Sequence, residues 1–251
     1  MVVLRQHPLE QSGPSHPIEQ SYLDEIATLA QYVETWFEQY KEIDNPDPSD
    51  PPRIGPEGME KLCKDLDISI DGHDILIIAW LLMAERMGYF TLTEWTLGMK
   101  KIGAHSPETL KLALNPYRSI LKDISQPQFR DLYRFSYEFA RSSLQKSIPV
   151  EMGKIYTIVY LCLVSTIGLW NILLPAATFT IMKSLEEYLC DVGPVKVITR
   201  DQWMSLLEFA QTVDPDLAGY DLESAWPVLL DDFVTWSKTR KETDVAVDKA
   251  D

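Results

Sequence analysis

Histidine is scarce in this chain, with four residues in 251, and the short motifs that build most enzyme active sites are missing. The sequence contains no HExxH zinc motif, no GxSxG nucleophile elbow, no phosphate-binding loop and no GxGxxG turn. Asp231 and Asp232 form an adjacent carboxylate pair, but neighbouring helical side chains point about 100° apart and do not converge on one atom. We therefore predict no enzymatic activity, and the alternative is a carboxylate-based site that carries no motif.

Cysteine is equally sparse, and Cys63, Cys162 and Cys190 form no CxxC pair. Three cysteines cannot all pair with one another, which indicates a reducing compartment. Cys63 and Cys162 fall on apolar helix faces, where a thiol is usually inert packing. Cys190 stands beside Asp191 and other acids, which disfavour the thiolate. None of the three is predicted to be a nucleophile.

Basic residues are outnumbered, because 23 Lys and Arg stand against 38 Asp and Glu, a formal net charge of −15. Phosphate backbones and anionic membrane surfaces would be repelled, so the composition predicts no nucleic-acid partner and no membrane. A basic protein is the favoured kind of partner.

Residues 155–182 carry no charged side chain. A membrane span is one interpretation of this run and a buried helix is the other. Gly168 and Asn171 interrupt the run and Pro175 follows, which favours a core helix, a break and a new helix.

Alternating apolar and polar runs are absent, and nearly every segment shows helical periodicity, so we predict an all-α fold of about ten helices. Capping boxes mark helix starts at Thr91 with Glu94 and at Thr199 with Gln202. The segment "HDILIIAWLLMAERMG" is predicted to be a helix with its caps at Asp71 before it and Gly88 after it. A domain is predicted over residues 17–240, with an N-terminal half at about 17–125 packed on a C-terminal helical half at about 126–240. Residues 1–16 and 241–251 are predicted to be flexible tails.

The last two helices raise a specific question about carboxylates. We predict that the final helix begins at Ser224 with Pro227 in its first turn, where a missing N–H costs nothing. Its apolar arc leaves Asp231 and Asp232 outside, and Asp201 falls in the first turn of the preceding helix. On spacing alone these are solvated or helix-dipole charges, and docking of a basic partner is the alternative.

The proline-rich stretch "DNPDPSDPPRIGPEG" lies between two helices, as an EF-hand loop would. With Asp47 or Asp44 as the first ligand, prolines occupy other ligand positions and a glycine replaces the bidentate Glu at the last. Neither loop can wrap Ca²⁺ well, so we predict an EF-hand-like N-terminal half that holds no metal.

The segments "ITRDQWMSLLEFAQTV" and "YDLESAWPVLLDDFV", with "RFSYEFAR", "ILIIAWLLMAE" and "IGPEGMEKLCKDL" before them, resemble the DCN1-like (defective in cullin neddylation) family and its PONY domain. The resemblance covers about residues 20–238. It implies a cullin-binding patch in the C-terminal half that docks the winged-helix region at the C-terminus of cullins. The matching residues are Asp201, Ala225 and Asp231.

The resemblance also implies a hydrophobic pocket for the acetylated N-terminal methionine of the neddylation conjugating enzyme (E2). Acetylation removes a positive charge that an apolar pocket would reject. The matching positions are Met59, Ile75, Ile78, Ala79, Met87, Phe90, Phe139, Tyr156 and Val159. Ordinary core packing is the alternative for these side chains.

The function that the resemblance implies is a non-catalytic, scaffold-type co-E3 that promotes cullin neddylation, with the reactive cysteine on the E2. Its partners would be the cullin, the acetylated E2 and the RING-box protein of the cullin ligase, and no cofactor is expected. We expect a monomer in the cytoplasm and nucleus. The alternative is an EF-hand-derived calcium sensor or adaptor.

Overall fold

The structure is a computed structural model, and it describes residues 17–42, 51–141, 148–149, 166–175, 179–193, 195–221 and 223–248. Ten α-helices lie in this part of the chain, which confirms the predicted all-α fold. They are α1 Pro17–Glu38, α2 Pro56–Leu66, α3 His73–Leu82, α4 Leu92–Ile102, α5 Pro107–Arg118, α6 Pro127–Ala140, α7 Thr166–Leu173, α8 Thr180–Asp191, α9 Arg200–Thr212 and α10 Val228–Asp248. A 3-10 helix, Ser119–Lys122, follows α5.

Two short antiparallel ribbons accompany the helices. Strand β1 (Arg53–Ile54) pairs with β2 (Phe90–Thr91), and β3 (Ile148–Pro149) pairs with β4 (Val197–Ile198). The sequence did not predict them, because a two-residue strand is too short to show alternation. The first ribbon joins the segment between α1 and α2 to the segment between α3 and α4. The EF-hand-like assignment of this half stays a prediction.

An aromatic core holds α1 against α4. Trp36 and Trp95 meet edge to face with ring centroids 4.7 Å apart, and Phe37 lies 6.3 Å from Trp95. The Trp95 indole N–H donates to the carbonyl of Val33 at 3.1 Å, so burying this ring leaves no polar atom unpaired. The helix α4 is also close to α3, since a Cβ on Gly98 would lie 2.8 Å from the Leu82 Cα.

Helix starts follow the predicted capping in two places and differ in a third. Both predicted capping boxes, at Thr91 and at Thr199, are present. Helix α3 was expected to be capped by Asp71 and to run towards Gly88, which is wrong. It begins after Gly72 and ends at Leu82, because the chain turns into the left-handed region at Met83 (φ 54°).

The two halves meet where α3 packs on α6. In the C-terminal half, Tyr133 of α6 is fully buried and links two further helices. Its hydroxyl donates to the Trp203 carbonyl at 2.9 Å and accepts from the Trp170 indole N–H at 3.0 Å. The three rings stack, so α6, α7 and α9 share one core.

The uncharged run is broken at Pro175 as predicted, but Gly168 and Asn171 lie inside helix α7 and do not interrupt it, so that part of the prediction is wrong. Helix α7 ends at Leu173, Pro175 follows, and α8 begins at Thr180. Residues 155–165 of the run lie outside the described residues. Among the helices that the structure describes, none has the length and apolar character needed to cross a membrane.

The last helix begins later than predicted, at Val228 instead of Ser224. The Trp226 N–H donates to the Ser224 carbonyl, a contact that is too local for an α-helix, and the first helical bond runs from the Asp231 N–H to the Pro227 carbonyl. Asp231 therefore lies in the first turn of α10. At the other end α10 continues to Asp248, beyond residue 240, where we had placed the start of the C-terminal tail.

Candidate functional site

Asp201 lies in the first turn of α9 and is exposed, as predicted. A capping box closes the start of this helix: the Gln202 N–H donates to Thr199 Oγ1 at 3.3 Å, and the Thr199 N–H donates to Gln202 Oε1 at 2.9 Å. Because these two residues cap the helix, the Asp201 carboxylate is not used as a cap. The helix dipole still favours a negative charge at this position.

Asp231 lies in the first turn of α10 and is half-buried. The Tyr220 hydroxyl donates a hydrogen bond to its Oδ1 atom. Burial raises the pKa of Tyr220 above its ordinary value, and the bond to Asp231 and the negative charge of that carboxylate raise it further. This contact was not predictable from the sequence, because the two residues are separated by a loop and no local pattern joins them.

Ala225 is exposed on the loop between α9 and α10, beside an aromatic cluster that we define as Phe209, Tyr220, Trp226 and Phe233. Tyr220 stacks on Trp226 with ring centroids 6.2 Å apart, and the edge of Phe209 meets both rings at 5.8 and 5.7 Å. Phe233 of α10 lies 6.1 Å from Phe209. The cluster therefore holds the loop that carries Ala225 between the two helices.

The predicted patch residues are thus held by one core but are not all in contact. Ala225 and Asp231 are both attached to the aromatic cluster, through Trp226 and Tyr220. Asp201 lies about 12 Å along α9 from Phe209, the cluster residue on that helix. Asp232, the other aspartate of the pair, is exposed.

The negative charges of the patch are not neutralised by ion pairs among the described residues. Arg200, the nearest basic residue in sequence to Asp201, forms an ion pair with Glu138 of α6 at 3.1 Å. Among the residues that the structure describes, neither Asp201 nor Asp231 has an ion pair. Two carboxylates without a basic partner among the described residues are available to a basic partner from outside the chain.

The residues of the predicted methionine pocket come from α2, α3, β2, α6 and the segment before β2. Six of them are buried: Met59, Ile75, Ile78, Ala79, Phe90 and Phe139. Met87 is half-buried, and Tyr156 and Val159 lie outside the described residues. Burial is compatible with both the pocket and the core-packing interpretation, so the pocket stays a prediction.

The cysteines that the structure describes are Cys63 and Cys190. Cys63 is buried on α2, and burial above all, with the charges of Asp74 and Glu60, raises the pKa of its thiol to about 12. The thiol therefore stays protonated, as expected of a cysteine that only packs in the core. Cys190 is exposed at the end of α8. In the described part of the chain, no three His, Cys, Asp or Glu side chains are placed to hold a metal ion.

Comparison with known proteins assigns the class. The sequence model of the Cullin_binding family, described as "Cullin binding", matches residues 109–236. This range contains Asp201, Ala225 and Asp231, together with the aromatic cluster. The fold and the match together define an all-helical protein of the cullin-binding class.

The chain belongs to the DCN1-like family. It is 37% identical to zebrafish DCN1-like protein 4 over 206 residues, which are 82% of this chain and 65% of that protein. It is 36% identical to human DCN1-like protein 5, covering 77% of that protein, and 32% identical to Drosophila melanogaster DCN1-like protein 4, covering 74%. The chain therefore spans just under two thirds of the length of the zebrafish relative.

Proposed function

We propose that this protein is a non-catalytic scaffold that promotes cullin neddylation. It would bind the winged-helix region at the C-terminus of a cullin through Asp201, Ala225 and Asp231. The observation that carries the proposal is that these residues lie within the cullin-binding match and that both carboxylates lack a basic partner among the described residues.

Electrostatics and packing have separate parts in this docking. The acidic surface would steer a basic partner and set its orientation. An isolated exposed ion pair contributes only about 0–1 kcal/mol. Most of the affinity is therefore expected from pairs desolvated together around Ala225, where a small side chain lets the partner come close.

The second part of the proposal concerns the E2. The acetylated N-terminal methionine of the neddylation E2 would enter an apolar pocket at the nine positions named above, of which the described ones lie on α2, α3, β2, α6 and the segment before β2. Six buried apolar side chains support such an environment, in which a charged amine would be rejected and an acetylated one accepted.

Two docking sites on one chain would explain an activity without catalytic groups. The reactive cysteine belongs to the E2 and the acceptor lysine to the cullin, which also holds the RING-box protein. Tethering makes the encounter of E2 and cullin effectively intramolecular and restricts the orientations of the E2.

The cullin site is tested by Asp231→Lys, with Asp232→Lys as the matched control. Both variants change the net charge equally on neighbouring residues of α10, but only Asp231 belongs to the patch. We expect Asp231→Lys to lower the affinity for the cullin C-terminal region about 100-fold or more, because it opposes a basic partner with a like charge. The double variant Asp201→Ala with Ala225→Arg should act in the same direction.

Binding is measured by calorimetry, and a reconstituted neddylation reaction with cullin, RING-box protein and charged E2 is run with and without each variant. Equal binding of the Asp231→Lys and Asp232→Lys variants would refute the patch, and an unchanged neddylation rate on adding the native chain would refute the function.

The E2 site is tested with two peptides of the same E2 N-terminal sequence, one acetylated and one with a free amine. We expect the free amine to bind at least about tenfold more weakly, because its charge must be desolvated in an apolar pocket. Equal affinities in a fluorescence-anisotropy titration would rule out this pocket and leave the cullin site untouched.

A further inference from the structure

The two carboxylates of the patch are held in different ways. Asp201 is exposed, and the capping of α9 is done by Thr199 and Gln202, so its side chain takes no part in the cap. Asp231 is half-buried, and one of its oxygens, Oδ1, accepts from the Tyr220 hydroxyl. Among the described residues Oδ2 accepts no hydrogen bond, so this oxygen is the one available to a partner.

Tyr220 is itself fixed. The residue is only 9% exposed, and its ring packs against the stacked ring of Trp226 and the edge of Phe209. Burial and the neighbouring carboxylate keep the hydroxyl protonated well above neutral pH, so it remains a hydrogen-bond donor. A rigid donor of this kind restricts the rotamer of the acceptor that it binds.

We propose that Tyr220 is a positioning residue that holds the Asp231 carboxylate in one orientation, with Oδ2 directed to the basic group of the partner. This inference rests on the proposed function, because it assumes that Asp231 contacts the cullin. A carboxylate that is already ordered loses less conformational freedom on binding, which strengthens the complex without adding a contact. Tyr220 would then contribute to affinity without touching the partner.

The test uses the full chain and the cullin C-terminal region. Tyr220→Phe removes the hydroxyl and keeps the ring in the cluster, and we expect affinity for the cullin to fall about tenfold. The matched control is Tyr188→Phe, since Tyr188 of α8 is also buried and its ring packs 5.8 Å from Phe233. This control removes a hydroxyl from the same core without removing the bond to Asp231, and its affinity should stay within about twofold of native.

A double-mutant cycle separates positioning from a structural role. In an Asp231→Ala background, Tyr220→Phe should cause no further loss of affinity, measured by NMR titration so that weak binding is still quantified. Native-like affinity of Tyr220→Phe, or an equal loss in both backgrounds, would overturn the positioning role while leaving the patch in place. Native affinity of Asp231→Ala would overturn both the positioning role and the proposed cullin site.

Discussion

Asp74 in the N-terminal half and Asp201 and Asp231 in the C-terminal half each lie in the first turn of a helix. Asp74 accepts two hydrogen bonds from Arg118 in the last turn of α5, from Nε at 2.7 Å and from Nη2 at 2.8 Å. This bidentate pair ties α3 to α5. Asp201 and Asp231 have no such partner among the described residues.

A first-turn aspartate can therefore either pair inside the fold or stay available to a partner. At all three positions the helix dipole favours the negative charge, so the local helix environment does not distinguish the three aspartates. The difference lies in what the fold brings near: a guanidinium at Asp74, a phenol at Asp231 and solvent at Asp201. A carboxylate that is paired inside the fold contributes to stability, whereas one that is left unpaired remains available for binding.

The largest effect is expected at Asp74: Asp74→Ala should lower the free energy of unfolding by about 2 kcal/mol, because Nε and Nη2 of the half-buried Arg118 guanidinium lose their acceptors. Affinity for the cullin should not change. Asp131→Ala is the control, since it removes an exposed ion pair with Arg134 and should cost at most about 0.5 kcal/mol. Urea unfolding and calorimetry measure the two quantities. A stable Asp74→Ala protein that binds cullin poorly would reverse the assigned roles.

A smaller effect is expected at the cap of α9. Thr199→Ala should cost about 1 kcal/mol of stability, because it removes the side-chain acceptor of the Gln202 N–H. The first turn that carries Asp201 should then fray, with cullin affinity falling about two- to threefold. Thr212→Ala, the same change at the other end of α9, is the control. Affinity losses of equal size in both variants would show that the first turn has no special part in the patch.

The smallest effect concerns the free energy of unfolding at alkaline pH. Each half of the chain has a tyrosine whose hydroxyl donates to an aspartate. Tyr40 donates to Asp65 at 2.9 Å, and burial above all raises the pKa of Tyr40 from 10.0 to about 12. Below pH 10 both the folded and the unfolded protein keep this phenol protonated. As pH rises between 10 and 12 only the unfolded state ionises, so stability falls.

Tyr40→Phe should reduce this alkaline fall in unfolding free energy, and Tyr220→Phe should do the same, since the pKa of Tyr220 is also raised. Tyr32→Phe, at an exposed position of α1, is the control. Urea unfolding at about pH 9 and about pH 11 measures the slope. An unchanged slope in the Tyr40 variant would mean that this phenol ionises alike in both states.

Much of the helical fold was predictable because its signals are local. Capping boxes at Thr91 and Thr199 join residues three positions apart, and Pro175 separates two helices through its own geometry. The start of the last helix was misplaced, because Pro227 is compatible with both the first turn and the position just before it. The two ribbons were missed because strands of two residues leave no periodic signal.

In the candidate site, too, local features were predictable and long-range contacts were not. Spacing placed Asp231 outside the apolar arc of its helix and Asp201 in the first turn of the preceding helix, and the resemblance to the DCN1-like family connected them with Ala225. What each carboxylate contacts was not predictable, since the Tyr220 hydroxyl reaches Asp231 across a loop and Arg200 pairs with Glu138 of a distant helix. Such contacts depend on how the helices pack.

The sequence by itself determined where several helices begin and that Asp201 occupies a first turn, because capping and helix-dipole energies act within a few residues. The tertiary structure decided which first-turn aspartates are paired and which are not among the described residues. It placed Arg118 beside Asp74, 44 residues away in sequence, and Tyr220 beside Asp231. Long-range packing selects such partners, because only the folded chain brings those side chains within hydrogen-bonding distance.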